Sequence, residues 1–146
     1  MIALDTNILV YALGTEERSK QARSLVLHAA LAGAIVPIQV LSEFANVCRR
    51  KDLLAEGSVS NRLAELAGGF HTPATSLSHV QGAVALAARY QLAFFDALIC
   101  TIAAHEGASH LISEDMKDGL VMDGITILNP FLPDNRERLE ALLNSH

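Results

Sequence analysis

Residues 2–13 read Ile2-Ala3-Leu4-Asp5-Thr6-Asn7-Ile8-Leu9-Val10-Tyr11-Ala12-Leu13. A short apolar run ends on an acid, a polar turn follows, and a second apolar run begins at Ile8. The pattern predicts a buried strand, a sharp turn and a helix. It puts the Asp5 carboxylate at the C-terminal end of a strand, where open α/β sheets bind their ligands. Three more acids stand in comparable settings: Glu43 in Val40-Leu41-Ser42-Glu43-Phe44, Asp96 in Phe94-Phe95-Asp96-Ala97-Leu98-Ile99, and Asp115 closing Leu111-Ile112-Ser113-Glu114-Asp115. A carboxylate in apolar surroundings is costly unless a cation compensates it. Four that converge call for a hard metal ion.

The rest of the chain bounds that reading. Its 146 residues, 51% of them hydrophobic, suit one globular domain with a substantial core. No apolar run reaches the ~18 residues of a membrane span, and the N-terminus lacks the basic region of a signal peptide. Cys48 and Cys100 fall within helical apolar patterns, as small core residues of a reduced cytoplasmic protein do, although a disulfide stays open at this point. The net charge of −5 argues against a broadly basic nucleic-acid-binding face, but it leaves room for a local basic rim.

Short β-type runs alternate with helical ones. Strands are predicted at 2–5, 35–38, 70–74, 110–113 and 125–128. Helices are predicted from Thr15, as cap, to Gly33, over 39–51, over 58–67, along a stripe of Leu77, Val80, Val84, Ala87 and Ala88, and over the uniformly apolar 95–106. The alternation implies an α/β fold, a parallel sheet covered by helices on both faces.

Each acid also has an ordinary explanation. Asp5-Thr6-Asn7 suits turn and capping chemistry. Glu43 borders its helix's apolar stripe and has Arg50 as a candidate ion-pair partner. Asp96 opens a helix, where first-turn acids are common. Asp115 shares an acidic loop with Glu114, Asp118 and Asp123, and such loops are usually solvated. The four together, in order on a βα scaffold, say more than any one. His28, His71, His79, His105, His110 and His146 show no metal-ligand spacing.

Those segments carry a resemblance. Asp5-Thr6-Asn7, Ser42-Glu43-Phe44, Phe95-Asp96-Ala97-Leu98-Ile99, Ser113-Glu114-Asp115-Met116 and the closing Asn129-Pro130-Phe131 together resemble a PIN-domain ribonuclease, and within that group a VapC-type toxin of a toxin–antitoxin pair. The resemblance implies a PIN-like three-layer sandwich over residues 1–131, with 132–146 a short helical C-terminal extension. It implies a divalent-metal-dependent endoribonuclease that leaves a 5′-phosphate and a 3′-hydroxyl. Asp5, Glu43, Asp96 and Asp115 would be the catalytic acids, with Asp5, Asp96 and Asp115 as metal ligands. Asn7 and Ser113 would be accessory polar groups, and Glu114 an alternative or helper to Asp115. Mg²⁺ or Mn²⁺ would be the ion. The implied partners are RNA, a cognate antitoxin and a second copy of the chain, with no membrane.

Outside the resemblance, Arg49, Arg50 and Lys51 are the leading candidates for RNA contacts, followed by Arg18, Lys20 and Arg23. Leu53, Leu54, Leu63 and Leu66 are candidate dimer or antitoxin contacts, with packing into the protein's own core the favoured role for any single one. Two other readings stay in play: a housekeeping PIN-domain RNA-processing nuclease, and a PIN-like binding module without catalysis. A receiver domain would need an acid pair after the first strand, and a haloacid-dehalogenase-like phosphatase an Asp-x-Asp, where this chain has Asn7.

Overall fold

The computed structural model describes residues 1–145, and the reading of His146 lies outside them. The first strand, β1, is Ile2–Leu4, and all three side chains are buried. Asp5 then caps helix α1 (Thr6–Tyr11) by accepting a hydrogen bond from its backbone N–H at Thr6. Helices α2 (Glu17–Leu31), α3 (Ile38–Arg50), α4 (Ser58–Gly69), α5 (Leu77–Tyr90) and α6 (Phe94–His105) follow. The chain then forms β2 (His110–Ile112), β3 (Val121–Met122) and β4 (Ile125–Leu128), a 3₁₀ turn at Pro133–Asn135, and α7 (Arg136–Asn144).

The sheet runs β1-β2-β4-β3. β1 and β2 are parallel, with Leu4 beside Ile112, and β2 and β4 are parallel. β3 is antiparallel to β4, so the sheet is mixed rather than wholly parallel. The sequence reading did not include β3. Its signal is Asp123-Gly124, both in the left-handed region at φ 48° and 88°, as a two-residue hairpin turn demands.

The strands expected at 35–38 and 70–74 shrink to single bridges: Ile35 pairs with Ala3 on one side and His71 on the other. Proline is the cause. Pro37 has no N–H to extend a ladder, and it serves instead as the N-cap of α3. The backbone nonetheless stays in register there, with Val36 N donating to His71 O and Ile38 N to Pro73 O.

Three helical details also differ from expectation. α2 starts one residue late, with Glu16 rather than Thr15 at its cap and no side-chain capping bond. On α5 the buried face is Ala83 and Leu86, while Leu77 and Val84 are 73% and 59% exposed. Gly82 sets that face. A Cβ there would meet the Thr101 methyl at 3.1 Å, so α5 lies close on α6 where the glycine is. Leu66 belongs to the core, Leu54 and Leu63 pack against it, and of the four leucines offered as contacts only Leu53 is exposed.

Helix α6 is buried at every position from Ala97 to Ala103, between the sheet and α5. Full burial of its Leu98, Ile99 and Ile102 side chains contributes about 1.5–3 kcal/mol each. Cys48 and Cys100 are free and buried. No single helix among the described residues is long and apolar enough to cross a membrane.

The C-terminal segment is tied to the sheet by polar bonds. Asn135, buried, donates through Nδ2 to Asp118 Oδ1 at 2.8 Å and to the Asn129 carbonyl at 2.9 Å. Asp118 Oδ1 also accepts from Asn129 N at 2.8 Å. Replacing Asn135 with Ala removes both bonds from a buried position, so urea unfolding should show a loss of about 1–3 kcal/mol. A loss below about 0.5 kcal/mol, the usual range for a surface substitution, would show that the segment is not held this way.

Candidate active site

The β1–β2 register decides what Asp5 faces. Leu4 is beside Ile112, so the next residues, Asp5 and Ser113, meet at the C-terminal ends of the two strands. Asp5 N continues the ladder to Ile112 O, and Ser113 N donates to Leu128 O. Ser113 is fully buried, and its hydroxyl donates to Asp5 Oδ2 at 2.7 Å. Asp5 itself is only 4% exposed.

Asn7, half-buried, joins this pair to the third segment. Its Nδ2 lies 3.4 Å from Asp5 Oδ2, 3.2 Å from Ser113 Oγ and 3.2 Å from Asp115 Oδ2. Its Oδ1 accepts from Glu114 N at 3.3 Å, which fixes the amide's orientation, since only the NH₂ face has acceptors around it. Asp115 N in turn donates to Ser113 Oγ at 3.2 Å.

Glu43 enters from α3. It does not pair with Arg50; its Oε2 accepts from the Thr6 hydroxyl at 3.2 Å. Thr6 was not singled out in the sequence, although it stands between Asp5 and Asn7. Asp96 lies in the first turn of α6, whose N-cap is Ala93 with no side-chain capping bond. The expected set is therefore brought together from four separate segments. Asp5, Glu43, Asp96 and Asp115 all line one cavity of about 350 Å³ with Thr6, Asn7, Val10, Tyr11, Val47 and Lys51. Tyr11 is another residue the sequence reading passed over; it sits one helical turn after Asn7, which puts it on the same face of α1.

Glu114 is outside this group. Its side chain turns away from the cavity, accepts from the Tyr11 hydroxyl at 2.9 Å and pairs with Arg18. Arg49, Arg50 and Lys51 are all exposed at the end of α3, and of the three only Lys51 reaches the cavity wall.

The electrostatics are those of uncompensated negative charge. Burial pushes the Asp5 carboxyl from 3.8 up to about 6, against the lowering effect of the Ser113 and Thr6 hydrogen bonds, with Asp96 and Asp115 adding repulsion. Glu43 is raised by burial and then by Asp5, and Asp96 by burial and then by Asp115. The Cys100 thiol is driven up to about 12, mainly by burial and further by Asp5 and Asp96, so it is no nucleophile near neutrality. The set is rich in hard oxygen donors, which suits a hard divalent cation. As the side chains stand, no three His, Cys, Asp or Glu residues among those described are grouped tightly enough to hold an ion. The histidines are engaged elsewhere: His79 closes a capping box with Ser76, and His71 pairs with Glu106 at 2.8 Å.

The chain belongs to the PIN-domain family, whose model matches residues 2–117. Known structures share the fold. A toxin–antitoxin complex from Klebsiella pneumoniae superposes with a TM-score of 0.66 at 21% identity, covering 90% of this chain and 98% of that one. The sarcin-ricin loop cleaving toxin VapC20 of Mycobacterium tuberculosis gives 0.65 at 16% identity, covering 79% and 90%. VapBC2 from Rickettsia felis, bound to a promoter DNA fragment, gives 0.63 at 18%, covering 88% and 98%. No curated protein matches in sequence.

The raised Asp5 value sets a pH dependence for the metal-free protein. The folded state holds this proton more tightly than the unfolded state, so stability is greatest below about 4 and falls as pH rises through about 6. The decline from this group is about 3 kcal/mol. Asp5→Asn should flatten that decline and raise stability at pH 7 by about 1 kcal/mol, because a neutral side chain relieves the repulsion. Denaturant midpoints across this range check it, and a wild-type pH profile in the Asp5→Asn variant would refute it.

Proposed function

We propose that this chain is the toxin of a type II toxin–antitoxin pair, a divalent-metal-dependent endoribonuclease acting on cytoplasmic RNA. The observation that carries the reading is the meeting of four carboxylates, from β1, α3, α6 and the loop after β2, on one cavity at the C-terminal edge of the parallel strands. The family and the shared fold with toxin–antitoxin proteins support it.

The roles follow from position. Asp5 and Asp96 would be the principal metal ligands, and Asp115 would complete the set. Glu43 acts beside them as the fourth acid. Asn7 and Ser113 carry no charge; they fix the orientation of Asp5 and Asp115 through the bonds described above. Bound Mg²⁺ or Mn²⁺ would polarise the scissile phosphate and lower the pKa of a water. The chain supplies placement: a buried first carboxylate held by hydrogen bonds, and three more acids on the same cavity. Lys51 lines this opening, and with the exposed Arg49 and Arg50 that precede it would suit the flanking RNA backbone. A cognate antitoxin would cover the same opening and neutralise its charge, and a homodimer belongs to this reading too.

Purified protein should cut single-stranded RNA in Mg²⁺ or Mn²⁺ and not in excess EDTA. Asp5→Asn and Asp96→Asn should each lower kcat by at least about 100-fold while the protein stays folded. Undiminished cleavage in chelator, or wild-type turnover by either variant, would remove the mechanism. Induced expression should arrest growth and co-expression of the neighbouring small reading frame should restore it; cleavage without toxicity would point to a housekeeping nuclease.

A further inference from the structure

Arg18, on the first turn of α2, is held in place by three side chains beside the acid cavity. Its guanidinium lies 5.2 Å from the Tyr11 ring centre and 4.9 Å from that of Phe131, and the two rings meet edge-on at 5.4 Å. Nη1 lies 2.9 Å from both oxygens of Glu114. It directs a hydrogen bond to Oε1 and lies 3.3 Å from the Tyr11 hydroxyl. Glu114 Oε2 is shut off from solvent and has the charge of Arg18 beside it but no directed hydrogen bond. Among the described residues no acceptor meets Nε or Nη2 of Arg18.

The neighbouring bases are placed differently. Arg23 donates to the Ala12 and Gly14 carbonyls, so it fastens the loop before α2. Lys20 sits 3.7 Å from Glu17 on the open face of its helix. Arg18 alone of these three is stacked on rings, braced by an acid and still has a free donor edge. Tyr11 is shared: its ring wall faces the cavity of the four acids, and its hydroxyl is part of the Arg18 brace.

We propose that Arg18 is a preset contact for a backbone phosphate of the RNA substrate, and that Glu114 is its holder rather than a fourth metal ligand. This rests on the ribonuclease reading above. A planar guanidinium offers two parallel N–H bonds to a phosphate. Stacking on Tyr11 and Phe131 and the Glu114 pair remove most of the side chain's freedom before substrate arrives, so less is lost on binding. The phosphate would lie to one side of the cavity, beyond Tyr11.

The test is the affinity of a labelled single-stranded RNA for the Asp96→Asn protein, measured from about 50 to 200 mM salt. Adding Arg18→Ala should weaken binding about tenfold and reduce the salt slope by about 0.7, the loss of one phosphate contact on a single strand. Arg18→Lys should keep the slope and lose affinity about threefold, since the charge stays and the two-pronged bond does not. Glu114→Gln should keep the salt slope, because it removes no contact to RNA, and weaken binding by about threefold or less, because Arg18 is held less firmly. An unchanged slope in a folded Arg18→Ala protein would overturn the proposal. So would an equal fall of the salt slope in Glu114→Gln, which would make the pair a structural brace only. If Arg18→Ala does not fold, wild-type affinity in Arg18→Lys overturns it as well. Absence of salt-dependent RNA binding by the Asp96→Asn protein itself would instead remove the ribonuclease reading, and this contact with it.

Discussion

The rest of the site depends on the 2.7 Å hydrogen bond from Ser113 to Asp5. It joins the ends of two parallel strands through a buried carboxylate, and each neighbouring group is placed relative to it. Asp5 caps α1, which aims Asn7 and Tyr11. Ser113 receives the Asp115 amide, which places the loop after β2. A carboxylate so deeply buried, with hydroxyl, amide and backbone donors but no cation, is an unstable arrangement by itself. Its hydrogen bonds lower its pKa, and burial outweighs them.

That imbalance connects stability to chemistry. The apolar core from α6 and the sheet holds a strained cluster of like charges at its edge. A protein selected for stability alone would place an apolar or neutral group at Asp5. On the proposed function, a divalent cation would supply the missing charge and make the same residues favourable. Asp96 and Asp115 add like-charge repulsion to the burial that raises the Asp5 carboxyl.

Much of this was legible in the chain, for reasons that differ by element. β1 and α1 were readable because Ile2-Ala3-Leu4 and Ile8-Leu9 are continuous apolar runs with a polar hinge between them. α6 was readable because every side chain from Ala97 to Ala103 is buried, so composition alone reports it. The strands at 35 and 71 were overread, since proline cuts ladders that apolar content suggests. β3 was missed because two residues carry no periodicity; only the Asp123-Gly124 turn marks it. On α5 the predicted stripe holds for Val80 and Ala87, which pack against the core, and fails for Leu77 and Val84, because the close approach at Gly82 centres the buried face on Ala83 and Leu86. In the site, the acids stood out as charges in apolar text. The turning of Glu114 toward Arg18 did not, since adjacent Glu114 and Asp115 have the same charge and only the fold separates them.

The most direct test of the account is whether a metal ion displaces the proton that burial holds on Asp5. Calorimetric titration with Mn²⁺ at about pH 6, in two buffers of different ionisation enthalpy, counts protons released per ion bound. The account predicts release of roughly half a proton or more from a group near half-titration, and little or none from Asp5→Asn. Binding of Mn²⁺ to the wild-type protein with no proton release, or equal release from Asp5→Asn, would contradict it.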